Sequence, residues 1–397
     1  MRRNLFDLPR PVWLLGWISL ATDAASEAIY ALLPYFLTQV LGAGAVAVGV
    51  VEGAAEAANS VLKIVSGRLA DRFGEKRRFV LFGYTLSSAA RPIIALTSSW
   101  WQVFTIRVFD RVGKGVRGAP RDAMLATWAT PGTRGRVYGF HQGMDNLGAV
   151  VGPALATLFL VFYPGQYRTL FALTIVPGAI AVLLIFFLPE SGARREPAAA
   201  AEPGASPYVS PLPPRFWQFI AVLAVFMLGN STDAFLLLRL TDTAGSAKYV
   251  PLMWAGLNLV KSAVSVVGGD WSDRIGRRSV IAIGWIVYAV VYGGFAFSTS
   301  LHALLGWFMV YGFYFGFAEG TEKALVADLA PAAARGTAFG IYNATVGFGA
   351  LAASLVFGVI WSELGAPAAF GFGAALALAA TALLFLVVPG RPKEVRA

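Results

Sequence analysis

The chain is predicted to be an all-α membrane protein of twelve transmembrane helices arranged as two six-helix bundles. Three observations carry that prediction. Of 397 residues, 57% are hydrophobic and only 14% charged, with a mean hydropathy of +0.64, whereas a soluble domain carries about a quarter charged residues. Twelve apolar runs approach the length of about 20 helical residues that crosses a hydrocarbon core. A proline-rich polar segment divides those runs six and six. Helices are the expected spanning element because hydrocarbon offers no partner to an open backbone N–H or C=O.

In chain order the runs are roughly 12–40, 45–66, 79–97, 100–122, 137–161 and 167–188, then 215–240, 250–268, 279–297, 302–326, 337–360 and 366–388. The first follows Arg2 and Arg3 as a signal peptide would, but it is too long for an h-region and lacks a small-residue cleavage site, so it is expected to remain as a span. Between the two sets, Pro189 to Arg215 holds seven of the chain's 21 prolines, the composition of an extended linker. The expected organisation is an N-terminal bundle over 1–188, a cytoplasmic linker over 189–214 and a C-terminal bundle over 215–397. Twelve spans bring both termini to one side. The loops and termini of that side carry 20 of the 32 Lys and Arg residues, against little beyond Arg168 and Lys248 opposite. Both termini are therefore expected in the cytoplasm, with the chain in a bacterial inner membrane. The net charge of +10 reads as this topology signal, and no nucleic-acid partner is expected.

Several classes are excluded on residue types. Cysteine is absent and His141 and His302 are the only histidines, so no disulfide, thiolate chemistry, metal centre or cofactor is expected. A G-x-S-x-G turn is missing, and Gly113-Lys114-Gly115 lacks both the upstream glycine and the following Ser or Thr of a phosphate loop. Neither an enzyme nor a primary pump is expected. A non-transporting membrane sensor stays open as a different class, although the linker supplies no output domain.

The two halves echo one another. Gly67-Arg-Leu-Ala-Asp71-Arg72-Phe-Gly74 returns as Gly269-Asp-Trp-Ser-Asp273-Arg274-Ile-Gly276. Thr22-Asp23-Ala24 returns as Thr232-Asp233-Ala234, and Arg136-Val-Tyr-Gly139-Phe140 as Thr337-Ala-Phe-Gly340-Ile341. Duplicated bundles of one polarity belong to alternating-access transporters, with the site at the repeat interface. On these residues the chain resembles a twelve-span member of the major facilitator superfamily. The family's loop motif, G-x-x-x-D-R-x-G-x-[RK]-[RK], is matched by Gly67, Asp71, Arg72, Gly74, Lys76 and Arg77, with Glu75 where a basic residue is usual. Arg111, Gly115 and Gly118 match its span-4 spacing. Gly148, Gly152 and Pro153 resemble the span-5 motif of proton-driven exporters, which continues to a Gly-Gly pair where this chain has Ala156-Thr157. The resemblance implies a monomeric carrier in the lipid bilayer that moves a small organic substrate with a coupling ion, expected to be a proton. Proton-coupled export is the expected direction; uptake of an organic anion by symport is the alternative. It also implies a cytoplasmic gate at Gly67, Asp71, Arg72, Gly74, Asp273 and Arg274, and helix bending at Gly148, Gly152 and Pro153.

Charges inside spans are the strongest pointer to a site, since each costs about 2.5–3.5 kcal/mol at a helix centre on insertion scales. Asp23 and Glu27 share one face of span 1, Glu56 lies in span 2, and Arg111 belongs to a basic stripe in span 4. These four are the candidates for proton coupling. Candidates for the substrate cavity are Arg91, Arg107, Asp110, Asp145 and Asn146 in the first half, and Asn258, Lys261, Tyr311, Tyr314 and Asn343 in the second. Two other readings remain. Span 4 can stop near Asp110, leaving the later charges in a loop. Alternatively, the seven acids and seven bases of the first-half spans form a paired network, so that no anionic substrate is required.

Overall fold

The computed structural model describes residues 7–30, 32–43, 45–189, 212–244 and 250–388. Among them there is no strand. The helices are α1 (Arg10–Tyr30), α2 (Leu33–Tyr35), α3 (Ala45–Phe73), α4 (Lys76–Ile93), α5 (Trp100–Thr127), α6 (Arg134–Phe162), α7 (Tyr167–Leu173), α8 (Ile175–Phe186), α9 (Pro214–Gly229), α10 (Ala234–Ala244), α11 (Val250–Ile275), α12 (Arg277–Phe297), α13 (Leu301–Leu329), α14 (Arg335–Leu364) and α15 (Ala366–Val387). Joined end to end where they are nearly continuous, they make the twelve spans expected. Nine of these are apolar and long enough to cross a membrane on length and composition alone. The long helices outside that set are α1, α3 and α5, which carry most of the in-span charges of the first half.

Three spans differ from the continuous helices expected. The first has α1 to Tyr30 and, among the described residues that follow, a turn at Leu32, α2 with Pro34 in its first turn, and a π-helical turn over Phe36–Val40. The sixth breaks at Thr174, whose hydroxyl bonds the Phe171 carbonyl at 2.6 Å. Pro177 three residues later supplies no N–H to the preceding turn. The seventh is interrupted over Asn230 to Asp233, where Tyr288 donates to the Gly229 carbonyl and Ser354 Oγ accepts the Thr232 N–H. The fourth, by contrast, is one continuous α5, so the reading in which it stops near Asp110 does not hold. Its start is a capping box in which Gln102 Oε1 accepts the N–H groups of Ser98 and Ser99 at 2.7 and 3.3 Å. Its glycines serve packing: Gly113 lies against Gly83 and Ser87 of α4, and Gly115 against Asn59 of α3.

The chain divides into two compact units. One comprises Met1–Pro131, Phe140–Ser210 and Pro331–Asn343; the other comprises Gly132–Gly139, Pro211–Ala330 and Ala344–Ala397. In the first, α5 packs on α3 and α4, and α8 on α1 and α4. An apolar cluster of Ile29, Leu33, Phe36, Val51, Ile94, Val103 and Phe171 closes one end. In the second, α13 packs on α11 and α12, and α15 on α9 and α12. Its centre is aromatic, with Phe226 stacked on Trp285 at 4.5 Å and Tyr288 on Tyr292 at 4.0 Å. Many large apolar side chains point outward, Leu96, Phe297 and Leu386 each by more than 80%; lipid, not water, is the solvent such a surface suits. The motif glycines Gly74 and Gly276 have φ of +70° and +96°. The turns from α3 to α4 and from α11 to α12 thus need a residue that accepts the left-handed region.

Candidate functional site

The ionisable residues of the first unit converge on α5. Asp110 is buried and holds two guanidinium groups, Arg91 Nε at 2.9 Å and Arg107 Nη1 at 3.1 Å, one on each carboxylate oxygen. Arg91 also donates to the Thr22 carbonyl of α1 at 3.0 Å. Such mutual satisfaction is what lets charges persist at depth. The next turns of α5 bring Arg111, Lys114, Arg117 and Arg121 toward α1. Asp23 faces Lys114, Arg117 and Arg121, with Asp145 of α6 beside it; Glu27 faces Lys114, Arg111 and Arg107. Asp145 accepts a hydrogen bond from Ser19 and lies 3.8 Å from Arg121 and 3.7 Å from His141. Arg117 rests on the Tyr84 ring at 4.0 Å, and the buried Asn146 Nδ2 has no hydrogen-bond partner among the described residues. On α6, a Cβ at Gly148 would meet the Leu20 carbonyl at 2.6 Å and Asp23 Cβ at 3.0 Å, and one at Gly152 would meet the Ala24 backbone. The glycines therefore let α6 lie backbone to backbone on α1 at the level of Asp23, with Pro153 immediately following.

The second unit builds a smaller, tyrosine-rich site around the break between α9 and α10. Lys261 Nζ lies 3.3 Å from Asp233 and 3.5 Å from the Phe315 ring centroid. Tyr311 donates to Asp233 at 2.8 Å, and Asn230 donates to the Tyr314 hydroxyl at 2.9 Å. Ser231 shares a hydrogen bond with Tyr292 at 3.0 Å, and Tyr288 donates to the Gly229 carbonyl at 2.7 Å. The bond to the Gly229 carbonyl, and the one that Ser354 Oγ accepts from Thr232 N–H at 3.2 Å, occupy backbone groups that the interrupted helix leaves open, the condition under which non-helical backbone persists at membrane depth.

Each unit also holds a carboxylate against a helix start. Asp71 accepts the N–H groups of Gly336 at 2.9 Å and Thr337 at 2.6 Å, in the first turn of α14. Asp273 accepts those of Gly135 and Arg136, both at 2.9 Å, in the first turn of α6. An acid supplied by another helix thus fills the place of an N-cap, where open donors and the helix dipole favour negative charge. Asp71 lies beyond the apolar run of its span, and burial raises its carboxyl above the ordinary value while the Thr337 donor and Lys76 oppose the rise. Gly67 and Gly135 permit the approach, since a Cβ at either would run into the facing backbone. Arg72 is exposed, and Arg274 is 59% exposed on its side chain while pairing with Asp270 at 2.6 Å. Among the described residues no group of His, Cys, Asp and Glu could hold a metal ion.

A family model described as Major Facilitator Superfamily matches residues 13–260 and 219–397. The chain belongs to the major facilitator superfamily. It is 31% identical over 387 residues to an uncharacterised MFS-type transporter of Methanocaldococcus jannaschii, covering 96% of both chains. It is 25% identical over 374 residues to the cis,cis-muconate transport protein of Acinetobacter baylyi, covering 88% of this chain and 89% of the relative. The fold is similar to that of the human organic anion transporter MFSD10, with a TM-score of 0.78 at 17% identity over 95% of this chain and 100% of the other. The protein is thus a multi-pass membrane transporter of this superfamily, and not an enzyme.

In this facilitator-superfamily chain, Asp23, Glu27, Arg91, Arg107, Asp110, Arg111, Asp145 and Asn146 gather in the first unit as described. Glu56 lies on α3 with its side chain outside the described residues. In the second unit Lys261, Tyr311 and Tyr314 come together. The amide donors of Asn258 and Asn343 turn back to their own helices, to Trp254 O at 3.0 Å and Phe339 O at 2.8 Å. Sequence reasoning left out Asn230, Ser231 and Asp233 as site residues; the signal was the polar Asn-Ser-Thr-Asp run inside an apolar span. Tyr288 and Tyr292, one helical turn apart, were also left out. The N–H groups of Gly135, Arg136, Gly336 and Thr337 had a signal only in the third echo between the halves.

Proposed function

We propose that the chain is a proton-coupled secondary transporter that carries a small organic solute across a bacterial inner membrane by alternating access, working as a monomer with both termini in the cytoplasm. The observation that carries the reading is the pair Asp23 and Glu27 on α1, facing the α5 bases Arg107, Arg111, Lys114, Arg117 and Arg121. Carboxylates lying in the field of several cations can exchange one pairing for another, which makes a two-state element that a proton can bias. Glu56 and Arg111 complete the proposed coupling set. Arg91, Arg107, Asp110, Asp145 and Asn146, with Asn258, Lys261, Tyr311, Tyr314 and Asn343, are the proposed cavity residues. The halves 1–188 and 215–397, joined by the linker, are the proposed rocking bodies. Gly67, Asp71, Arg72, Gly74, Asp273 and Arg274 form the gate, and Gly148, Gly152 and Pro153 the flexible contact.

Two directions follow from two observations. Export is supported by the packing of Gly148 and Gly152 against α1 beside Asp23 and by their likeness to the exporter motif. Uptake of an organic anion is supported by the donor-rich surroundings of Lys261 and by the solutes named for the muconate and organic anion transporters above. The test is proton flux in proteoliposomes with a trapped pH dye, offering lipophilic cations, zwitterions and organic anions in turn. Solute-dependent flux that is lost in Asp23→Asn with Glu27→Gln supports the coupling set; unchanged flux in that variant overturns it. Proton movement against the solute supports export, and movement with it supports uptake. A requirement for sodium overturns the proton.

A further inference from the structure

We propose that Lys261 and Asp233 form an exchange site, in which the carboxylate of a small organic acid takes over Lys261 while Asp233 takes up a proton. The inference rests on the uptake reading above and names its solute class and a second proton acceptor.

The site lies at the break in span 7, where Asp233 is the last residue before α10. Interrupted helices at membrane depth belong where backbone is buried in protein or lines a cavity, and they form solute sites in carriers. Lys261 is nearly enclosed, with 7% of its side chain exposed, whereas Asp233 keeps 20%. The ammonium sits on the faces of Phe315 and Trp254, at 3.5 and 5.1 Å from their centroids. Aromatic faces attract a cation without neutralising it, and Asp233 is the one carboxylate paired with it among the described residues.

The groups facing Asp233 are donors. From α11 comes Lys261; from α12 come Tyr288 and Tyr292, and from α13 Tyr311 and Tyr314. From α14 the neutral Ser354 hydroxyl accepts the neighbouring Thr232 N–H. Tyr314 accepts from Asn230, which leaves its own hydrogen to give. An incoming carboxylate therefore meets an ammonium and the Tyr314 hydroxyl. An incoming ammonium would meet the like charge of Lys261, which already engages Asp233.

Charge balance supplies the coupling. Before binding, the buried pair is one cation and one anion. After binding, Lys261 pairs with the solute carboxylate and Asp233 has become a neutral acid with a proton taken from water. Both states are neutral as a whole, so neither leaves an uncompensated charge in a low-dielectric site. Each carboxylate bound thus recruits one proton, and by reciprocity the proton tightens the carboxylate.

The test is titration calorimetry on the purified full chain in detergent, in buffers of different ionisation enthalpy, with benzoate and hexanoate as probes and benzylamine and benzyl alcohol as controls. Benzoate or hexanoate is expected to bind with uptake of about one proton. Lys261→Gln is expected to weaken that binding by at least about 10-fold, the loss of a charged hydrogen-bond partner, whereas Lys261→Arg retains it. Asp233→Asn is expected to keep the binding and abolish the proton uptake. It therefore decides the matter even if Lys261→Gln fails to fold, as its melting curve would reveal. Unchanged proton uptake in Asp233→Asn overturns the proposal, as does binding of benzylamine alone or of no carboxylate. Carriage of a cation or neutral solute in proteoliposomes without benzoate or hexanoate binding leaves the transport reading standing and removes this one. Carboxylate binding with proton uptake and no flux of any solute does the reverse.

Discussion

Asp71 in the first unit and Asp273 in the second each accept two backbone N–H groups at a helix start, with bond lengths between 2.6 and 2.9 Å, yet their surroundings differ. Among the described residues Asp71 pairs with one cation, Lys76 at 3.9 Å. Asp273 is gripped by Arg277 at 2.6 Å, and Arg277 also holds Asp328 at 3.1 Å, which in turn takes Arg134 at 2.6 Å. The same acid in the same turn thus has a single long ion pair in one unit and stands inside a charge chain in the other. Repetition of a Gly and Asp pattern preserves the backbone arrangement, while the strength of each junction depends on side chains outside the pattern.

The largest expected effect removes what the junctions share. Gly336→Val and Gly135→Val should each cost about 3 kcal/mol or more through overpacking, because a Cβ at Gly336 would stand 2.6 Å from the Gly67 carbonyl and one at Gly135 meets Ser272 and Gly269. Thermal melting of the purified variants measures this, and a drop for only one of them would break the likeness. Next is Asp71→Asn, expected to release the first junction by about 2 kcal/mol, the scale of a partly buried charge at a helix terminus. The chain has no native cysteine, so spin labels on Arg72→Cys and Ala333→Cys would report the change in distance distribution. Asp273→Asn should shift labels on Ile275→Cys and Gly132→Cys by less, about 1 kcal/mol, because Arg277 keeps Asp328. Adding Asp328→Asn should raise the loss to that of Asp71→Asn, and no further loss would mean that the charge chain does not buttress the junction. The smallest effect is expected from Lys76→Gln, below about 0.5 kcal/mol for so long an ion pair; a larger release of the Arg72 and Ala333 labels would erase the asymmetry.

A second pair of positions separates what was readable from what was not. Thr22-Asp23-Ala24 and Thr232-Asp233-Ala234 echo each other in sequence, but Asp23 lies inside continuous α1 and Asp233 at the end of a break. The residues before them differ: Leu20 and Ala21 extend a helix, whereas the side chains of Asn230 and Ser231 bond Tyr314 and Tyr292, and Tyr288 and Ser354 meet the open backbone at Gly229 and Thr232. The polar run was visible; its tyrosine partners on α12 and α13 were not. Span 4 shows the opposite case. Gly113, Gly115, Gly118 and Pro120 look like helix breakers, and α5 nonetheless runs through all four, because close packing against α3 and α4 outweighs the intrinsic cost of glycine, about 1 kcal/mol per residue. The stripe of charges on α5 was legible from spacing, whereas the capture of Arg91 and Arg107 by one carboxylate was not.

Apolar length, the polar interruption after the sixth span and the glycines at 74 and 276 are local properties, so the amino-acid order was enough to set fold class, span number and the tight turns. The meeting of Asp71 with Gly336 joins residues 265 positions apart, and that of Asp273 with Gly135 joins residues 138 apart. Packing alone decides such encounters, because a donor at a helix start advertises nothing in sequence about which distant acid will cover it, and hydrogen bonding in a dry interior rewards whichever acid arrives in register.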